Sequence, residues 1–267
     1  MPTGWTARCA ACRSTAVPDP DPGFGARHRV LARGYGHRPD PDDPAAVLAM
    51  PIVLHIPKQD PPRRSALLEA AAAATIALCL DPRVGPDADG RPGPWQDAYL
   101  AWNDARIRKV SRRARGAQWR AAQDVDGITV DRAGAQARAL VPGPVGDLDP
   151  RISRLQIGGT DLPLDDPADP EPGVPVFWID ASLDMTVGKA AAQVGHAAML
   201  LAGDLDEDAA RAWAADGYRC AVHDADPARW RELRARVEDG RGPVAAVRDA
   251  GFTEVAPGST TVIAVTG

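Results

Sequence analysis

Lysine is nearly absent from this chain: Lys58, Lys109 and Lys189 stand against 28 arginines. With abundant alanine, proline, glycine and aspartate, the skew is what GC-rich codons produce, and it makes each surviving lysine worth following. Cysteine is scarce as well. Cys9, Cys12, Cys79 and Cys220 are too few and too scattered for a disulfide framework. No apolar run precedes them that would read as a signal peptide, so the expected compartment is a reducing cytoplasm. Long hydrophobic runs are missing too. The longest apolar stretch, Ser65–Leu80, is broken by Glu69 and falls short of the roughly 20 residues needed to cross a bilayer. What remains is 45% hydrophobic and 25% charged over 267 residues with net charge −5, the composition of a globular protein of one or two domains.

Two segments lack any helix or strand period. Residues 1–48 mix Pro, Asp, Gly and Arg and are expected to be disordered, because they cannot bury enough apolar surface to offset chain entropy. A start at Met50 would omit this leader altogether. Cys9-x-x-Cys12 with His28 and His37 invites a zinc site, but the later spacings are loose and no second cysteine pair exists, so no metal or cofactor is expected. Residues 146–174 form an acidic, proline-stiffened linker with one short strand near Leu155–Ile157. Two stretches of about 95 residues are left, 49–145 and 175–267, each long enough for its own core.

Periodicity predicts the same order in both, β-α-α-β-α-β-β. In the first stretch the elements are Ile52–Ile56, Ser65–Leu80, Pro94–Asp104, Ile107–Arg113, Ala117–Gln123, Ile128–Asp131 and Ala137–Val141. In the second they are Val176–Ile179, Gly188–Leu201, Asp206–Ala215, Tyr218–His223, Pro227–Val237, Val244–Val247 and Thr260–Val265. Trp102 and Trp119 are seventeen residues apart, as are Trp213 and Trp230, with Ala-Gln-Trp-Arg at 117–120 matching Ala-Arg-Trp-Arg at 228–231. An internal duplication follows from this self-similarity. The expected fold is α/β: two domains, each a four-stranded mixed sheet flanked by helices, paired as a pseudo-dimer.

The second stretch carries the polar groups. Lys189, Gln193 and His196 fall at i, i+4 and i+7 of a helix otherwise rich in alanine, so they share one face. Burying them unpaired costs several kcal/mol, roughly 2–7 for each polar group. With the backbone N–H groups of the helix start, Lys189 would form an anion site. At the far end, Arg248, Asp249 and Thr253 sit where a strand runs into a turn, within reach of that helix start. A carboxylate there could orient a water, and a hydroxyl a carbonyl or phosphate; equally, Asp249 and Thr253 could cap a tight turn.

Leu183-Asp-Met-Thr-Val-Gly-Lys-Ala-Ala-Ala-Gln-Val-Gly-His196, with Val247-Arg-Asp-Ala-Gly-Phe-Thr-Glu-Val-Ala-Pro-Gly258 and Thr261–Val265, resembles the second, archaeal and eukaryotic-type family of peptidyl-tRNA hydrolases. The resemblance covers Pro175–Gly267. It implies a compact α/β fold, usually a homodimer, and metal-free hydrolysis of the ester joining a peptide to the 3′ ribose of tRNA. Carried over by matching position, Asp249 and His196 would flank the water, Lys189 would meet developing negative charge and Thr253 would position the ester. Gln193 and Arg248 would help hold substrate. The partner implied is tRNA, with neither DNA nor membrane.

The loop before the helix departs from the family's basic Asp-Leu-Lys-Met-Gly-Lys-Gly-Lys. Here Ser182 to Lys189 keep one lysine of three, with Asp184 at one lysine position and Asp180 at an earlier arginine. Fewer positive charges mean weaker steering of a polyanion. The first stretch offers a substitute: Arg106, Arg108, Lys109, Arg112, Arg113 and Arg115, with Arg120 beyond, crowd one predicted strand and its flank. Arg108, Lys109, Arg112 and Arg113 are therefore expected to hold tRNA phosphates. The first copy has Glu69, Ala73 and Ile76 opposite Lys189, Gln193 and His196, and so no site of its own. The chain is expected to be a monomeric pseudo-dimer or a weak homodimer. The alternative function is a catalytically inactive tRNA- or RNA-binding protein of the same fold; a small-ligand or protein-binding module is a third.

Overall fold

The computed structural model describes residues 21–87, 89–240, 242–249 and 254–266. In chain order the elements are α1 (Phe24–Ala32), β1 (Leu48–His55), α2 (Arg64–Cys79), α3 (Gln96–Asp104), β2 (Arg108–Ala114), α4 (Gly116–Ala122), β3 (Gly127–Arg132), β4 (Ala135–Leu140), β5 (Gly143–Pro144) and α5 (Pro150–Ser153). They continue with β6 (Val176–Asp180), α6 (Val187–Asp204), α7 (Glu207–Ala215), β7 (Ala221–Ala225), α8 (Pro227–Glu238), β8 (Val244–Arg248) and β9 (Thr260–Val265).

The first sheet runs β2-β1-β4-β3, with the two-residue β5 added beside the start of β1; the second runs β7-β6-β9-β8. In each, one neighbour of the first strand is parallel and the other antiparallel. The registers also agree. Ile52 pairs with Ser111 and Ala139, and Ala139 with Ile128; Phe177 pairs with Val222 and Ala264, and Ala264 with Ala245.

The tryptophan spacing has a structural meaning. Trp102 Nε1 donates to the Arg108 carbonyl at 2.8 Å and Trp213 Nε1 to the Arg219 carbonyl at 2.7 Å, each six residues ahead. Each bond closes over a residue with positive φ, Ile107 at 45° and Tyr218 at 59°. A non-glycine side chain there is strained, and the tryptophan bond helps to fix it. This moves one expected boundary. Periodicity predicts that Tyr218 opens a strand, but its N–H turns back to the Trp213 carbonyl, so β7 begins only at Ala221.

Apart from the outer layers, the two units do not have separate cores. Small clusters lie under α4 and α5 (Val53, Trp119, Leu140, Ile152) and under α8 (Val176, Trp230, Leu233, Ile263). The main cluster is continuous across both units, and α2 packs on α6 at its centre. Ala70 to Ala74 on α2 are fully buried, as are Ala190, Ala191, Ala197 and Ala198 on α6. Alanine lets two helix backbones approach closely, and a Cβ added to Gly195 would lie 2.8 Å from Thr75 Oγ1. When Glu69 is matched with Lys189, Thr75 is the counterpart of Gly195. A residue meeting its own counterpart is what a two-fold arrangement produces. Reciprocally, α2 touches β7 of the second unit and α6 touches β2 of the first.

The expectation of disorder through residue 48 fails for residues 21–48. Helix α1 buries Phe24 and Leu31 against the second unit. It shows no apolar stripe because two polar side chains are buried beside them with partners: Arg27 donates to the Leu80 carbonyl and pairs with Asp21, and His28 Nε2 meets the Ala202 carbonyl at 2.8 Å. The linker is likewise fastened. Asp165 accepts from the Ser65 N–H and hydroxyl at the start of α2, and the expected strand near residue 156 is a single bridge between Arg113 and Gln156.

Gly195→Val should drive a branched side chain into Thr75 and lower stability in urea by about 1–3 kcal/mol, the usual range for overpacking. Thr75→Ala in the same chain should recover part of that loss. An unchanged urea midpoint for Gly195→Val would contradict the close crossing of α2 and α6.

Candidate active site

The second unit gathers its polar groups where β6 ends and α6 begins. Asp180 caps the turn that follows β6, accepting from the Ser182 N–H at 3.0 Å. Asp184 then takes a left-handed conformation, φ 45°, which aspartate tolerates better than most residues. Thr186 caps α6, accepting from the Lys189 N–H at 3.2 Å, while its own N–H and hydroxyl donate to Glu254 at 2.9 and 2.8 Å. The Gly188 N–H donates to the hydroxyl of fully buried Thr160, from the linker, at 2.9 Å. The fit at Gly188 is close, since an added Cβ would stand 3.1 Å from that hydroxyl. These contacts correct the expected anion site: the Gly188 and Lys189 amides are already satisfied by the chain's own hydroxyls.

One turn further along α6, the expected stripe divides. Lys189 Nζ reaches Asp249 Oδ2 at 2.5 Å, and Gln193 Nε2 reaches the same oxygen at 2.7 Å. Thr261 on β9 donates to Gln193 Oε1 at 2.8 Å, fixing which way the amide points. The Asp249 backbone is held in turn: its N–H donates to the Ser259 carbonyl and its carbonyl accepts from the Gly258 N–H. Lys189 and Asp249 are sixty residues apart in the chain, and their side chains are 10% and 8% exposed. A buried charged pair held by this many hydrogen bonds is costly to build for stability alone.

His196 does not join that network. Its Nδ1 lies 3.0 Å from Nζ of Lys109, which reaches over from β2 of the first unit. Burial, reinforced by the nearby charges of Lys109 and Lys189, holds the imidazole well below the ordinary histidine range, so it is neutral. Burial also pulls the Lys109 amine down to about 7.

The other expected residues are placed as follows. Arg248 stands exposed beside buried Asp249. Thr253 lies outside the described residues. The basic strand is largely tied to its own chain: Arg108 grips Asp40 with two bonds at 2.5 and 2.8 Å, Arg112 donates to the Ser153 and Leu155 carbonyls, and Arg113 to Gln156 and the Gly159 carbonyl. Of that run, only Arg106, Arg115 and Arg120 are exposed. The zinc candidates Cys9 and Cys12 also lie outside the described residues. Among the described residues no group of three His, Cys, Asp or Glu is placed to hold a metal ion, and no helix is long and apolar enough to cross a membrane.

Sequence reasoning missed Thr160, Thr186, Glu254 and Thr261. Thr186, directly before an apolar-periodic run, carries a legible N-cap signal; the other three act through partners far away in the chain. Beside the helix start lies a cleft of about 410 Å³ lined by Arg64, Asp161, Leu162, Asp180, Asp184, Met185 and Asp224, among others. Arg64 is already paired with Asp224 at 2.5 Å, so the rim is net acidic and repels phosphate.

Residues 174–266 match the family model described as peptidyl-tRNA hydrolase PTH2. A peptidyl-tRNA hydrolase from Thermococcus onnurineus (strain NA1) is 36% identical over 94 residues, which span 34% of this chain and 80% of that protein. The likeness of the first unit to the second is structural.

Half-buried Lys109 has a measurable signature. Unfolded, Lys109 keeps its proton to about 10.5; folded, it loses it near 7. Above pH 7 the unfolded chain therefore binds more protons, and stability should rise with pH. The useful window is pH 7 to about 8.5, below the range where the buried thiols Cys79 and Cys220 ionise on unfolding. Lys109→Met should flatten the slope of urea midpoint against pH there; the same slope in both proteins would mean a charged Lys109. Below about pH 6.5, where an unfolded histidine takes up a proton, the neutral His196 should make the wild type less stable.

Proposed function

Because the chain belongs, through residues 174–266, to the PTH2 family of peptidyl-tRNA hydrolases, we propose that it hydrolyses the ester between a peptide, or an N-blocked amino acid, and the 3′ end of tRNA. The observation that carries this reading is the meeting of Lys189, Gln193 and Asp249, all at positions of the family signatures, in one nearly buried cluster. In this mechanism the Asp249 carboxylate takes a proton from water as its oxygen attacks the ester carbonyl carbon. Lys189, poised on Asp249, donates to the carbonyl oxygen as negative charge develops. The bond to the ribose 3′ oxygen then breaks, and that oxygen leaves with the proton that Asp249 took from the water, which restores the Asp249 carboxylate. Gln193 orients Asp249, and Thr253 positions the ester.

We further propose that the first unit, bounded near residues 49–145, is a degenerate copy that takes the place of a second subunit. The matched registers, the paired tryptophan bonds and the reciprocal contacts of α2 and α6 support this. At the position of Lys189 it carries Glu69, whose carboxylate receives the Val222 N–H at 3.3 Å and is raised in pKa by burial. The alternative of an inactive RNA binder draws little support from the basic strand, since Arg108, Arg112 and Arg113 are engaged within the chain.

Incubated with an N-blocked aminoacyl-tRNA, the purified protein should release the amino acid. Asp249→Asn and Lys189→Met should each slow release by about a hundredfold or more. No release by the wild type at high enzyme concentration would overturn the hydrolase reading and leave tRNA binding to be measured. Sedimentation should give the mass of one chain.

A further inference from the structure

Lys109 raises a question that the cluster around Asp249 does not answer. It belongs to the first unit, yet its stem runs along the second unit's main helix, where a Cβ added to Gly195 would lie 3.3 Å from Lys109 Cδ. Its amine meets three things: His196 Nδ1 at 3.0 Å, the Ile107 carbonyl at 3.3 Å and the face of Trp102 at 4.9 Å. Of the titratable groups around it, His196 on α6 touches the amine and Cys79 on α2 lies within electrostatic reach, while Tyr99 on α3 is the partner of Cys79 and Lys189 on α6 acts on His196. Burial keeps Cys79 and Tyr99 protonated and neutral. Among the described residues no carboxylate offsets the lysine, so its charged form bears the cost of burial unrelieved.

The chemistry of the pair is asymmetric. An ammonium has three N–H donors and no lone pair, so it can only donate to Nδ1; the ring proton then sits on Nε2. A neutral amine has a lone pair and can accept from Nδ1–H, which leaves Nε2 bare. We propose that Lys109 is the positioning residue of His196, its protonation deciding which ring nitrogen of the second unit's histidine is left free as a base. The first unit is then a working part of the second unit's site, and the histidine's tautomer is set across the boundary between units. The inference rests on the hydrolase reading only for its consequence in catalysis, namely that a bare Nε2 would assist Asp249 in taking the proton from water.

The chain suits a direct test because it has three lysines and five histidines. In the full-length protein labelled with nitrogen-15 in lysine and histidine, one lysine should titrate with a midpoint near 7, the value to which burial brings Lys109. Lys58→Arg and Lys189→Arg identify the other two signals. Over the same pH range the two ring nitrogens of His196, assigned with His196→Gln, should exchange their protonated and bare shifts. Lys109→Met should abolish that exchange while the fold persists, since methionine matches the buried stem. The wild-type titration decides the matter even if that variant fails to fold. A His196 tautomer that stays fixed from pH 5.5 to 9, or three lysines that all remain charged to pH 9, would overturn the proposal. Ester release from the wild type should rise with the same midpoint, and Lys109→Met should lose that limb of the pH profile. If the tautomer exchanges and no ester is released at any pH, the hydrolase reading falls and the control of His196 by Lys109 stands.

Discussion

The structure depends on how closely α2 and α6 approach. Both are long, both are built largely of alanine, and both are buried along most of their length. Larger side chains would hold the two backbones further apart, as helix packing distances depend on the residues at the contact. With alanine on both sides and Gly195 against Thr75, two sheets can share one apolar interior. That sharing brings β2 of the first unit within reach of α6. It also places the linker hydroxyl of Thr160 over the start of α6, and it seats α1 on the second unit.

Polar chemistry in this interior is arranged by side-chain type. The ionised pair, Lys189 with Asp249, is surrounded by the amide and hydroxyl groups of Gln193 and Thr261, which remove the cost of unsatisfied atoms. Arginines are mostly found where a fixed fork suits carbonyl or carboxylate oxygens, as at Arg108 and Arg112. Lysine stands instead at the two places where a single amine meets a partner beside α6, Lys189 at Asp249 and Lys109 at His196.

Much of this was legible before the structure. Element order in both units came from periodicity, and the paired tryptophans announced equivalent positions because each closes the same kind of turn. Lys189 and Gln193 were legible as a helical stripe, and Asp249 through the family resemblance. Helix α1 was not, because burying Arg27 and His28 with long-range partners erases the apolar stripe that marks a helix. The basic run misled for a related reason. Charge counting ignores strand alternation: Lys109 shares a face with Ser111 and points into the interior, while Arg108 points away towards Asp40. The closing of the helix start by Thr160 could not be read at all, since nothing local marks a threonine whose partner is 28 residues away.

The seating of α1 also bears on how the chain reaches this state. His28 and Ala202, which bond at 2.8 Å, are separated by 174 residues, and the Leu31 carbonyl lies against Gly203. During synthesis, α1 emerges long before the helix that receives it, and α2 emerges before α6. Loop-closure entropy must be met before such distant contacts yield any stabilisation, so assembly of the shared interior is slow relative to a chain with local contacts. Until α6 arrives, the alanine face of α2 and the Phe24 and Leu31 side chains of α1 remain uncovered, and transiently exposed apolar surface of this kind is what makes a folding chain prone to aggregate.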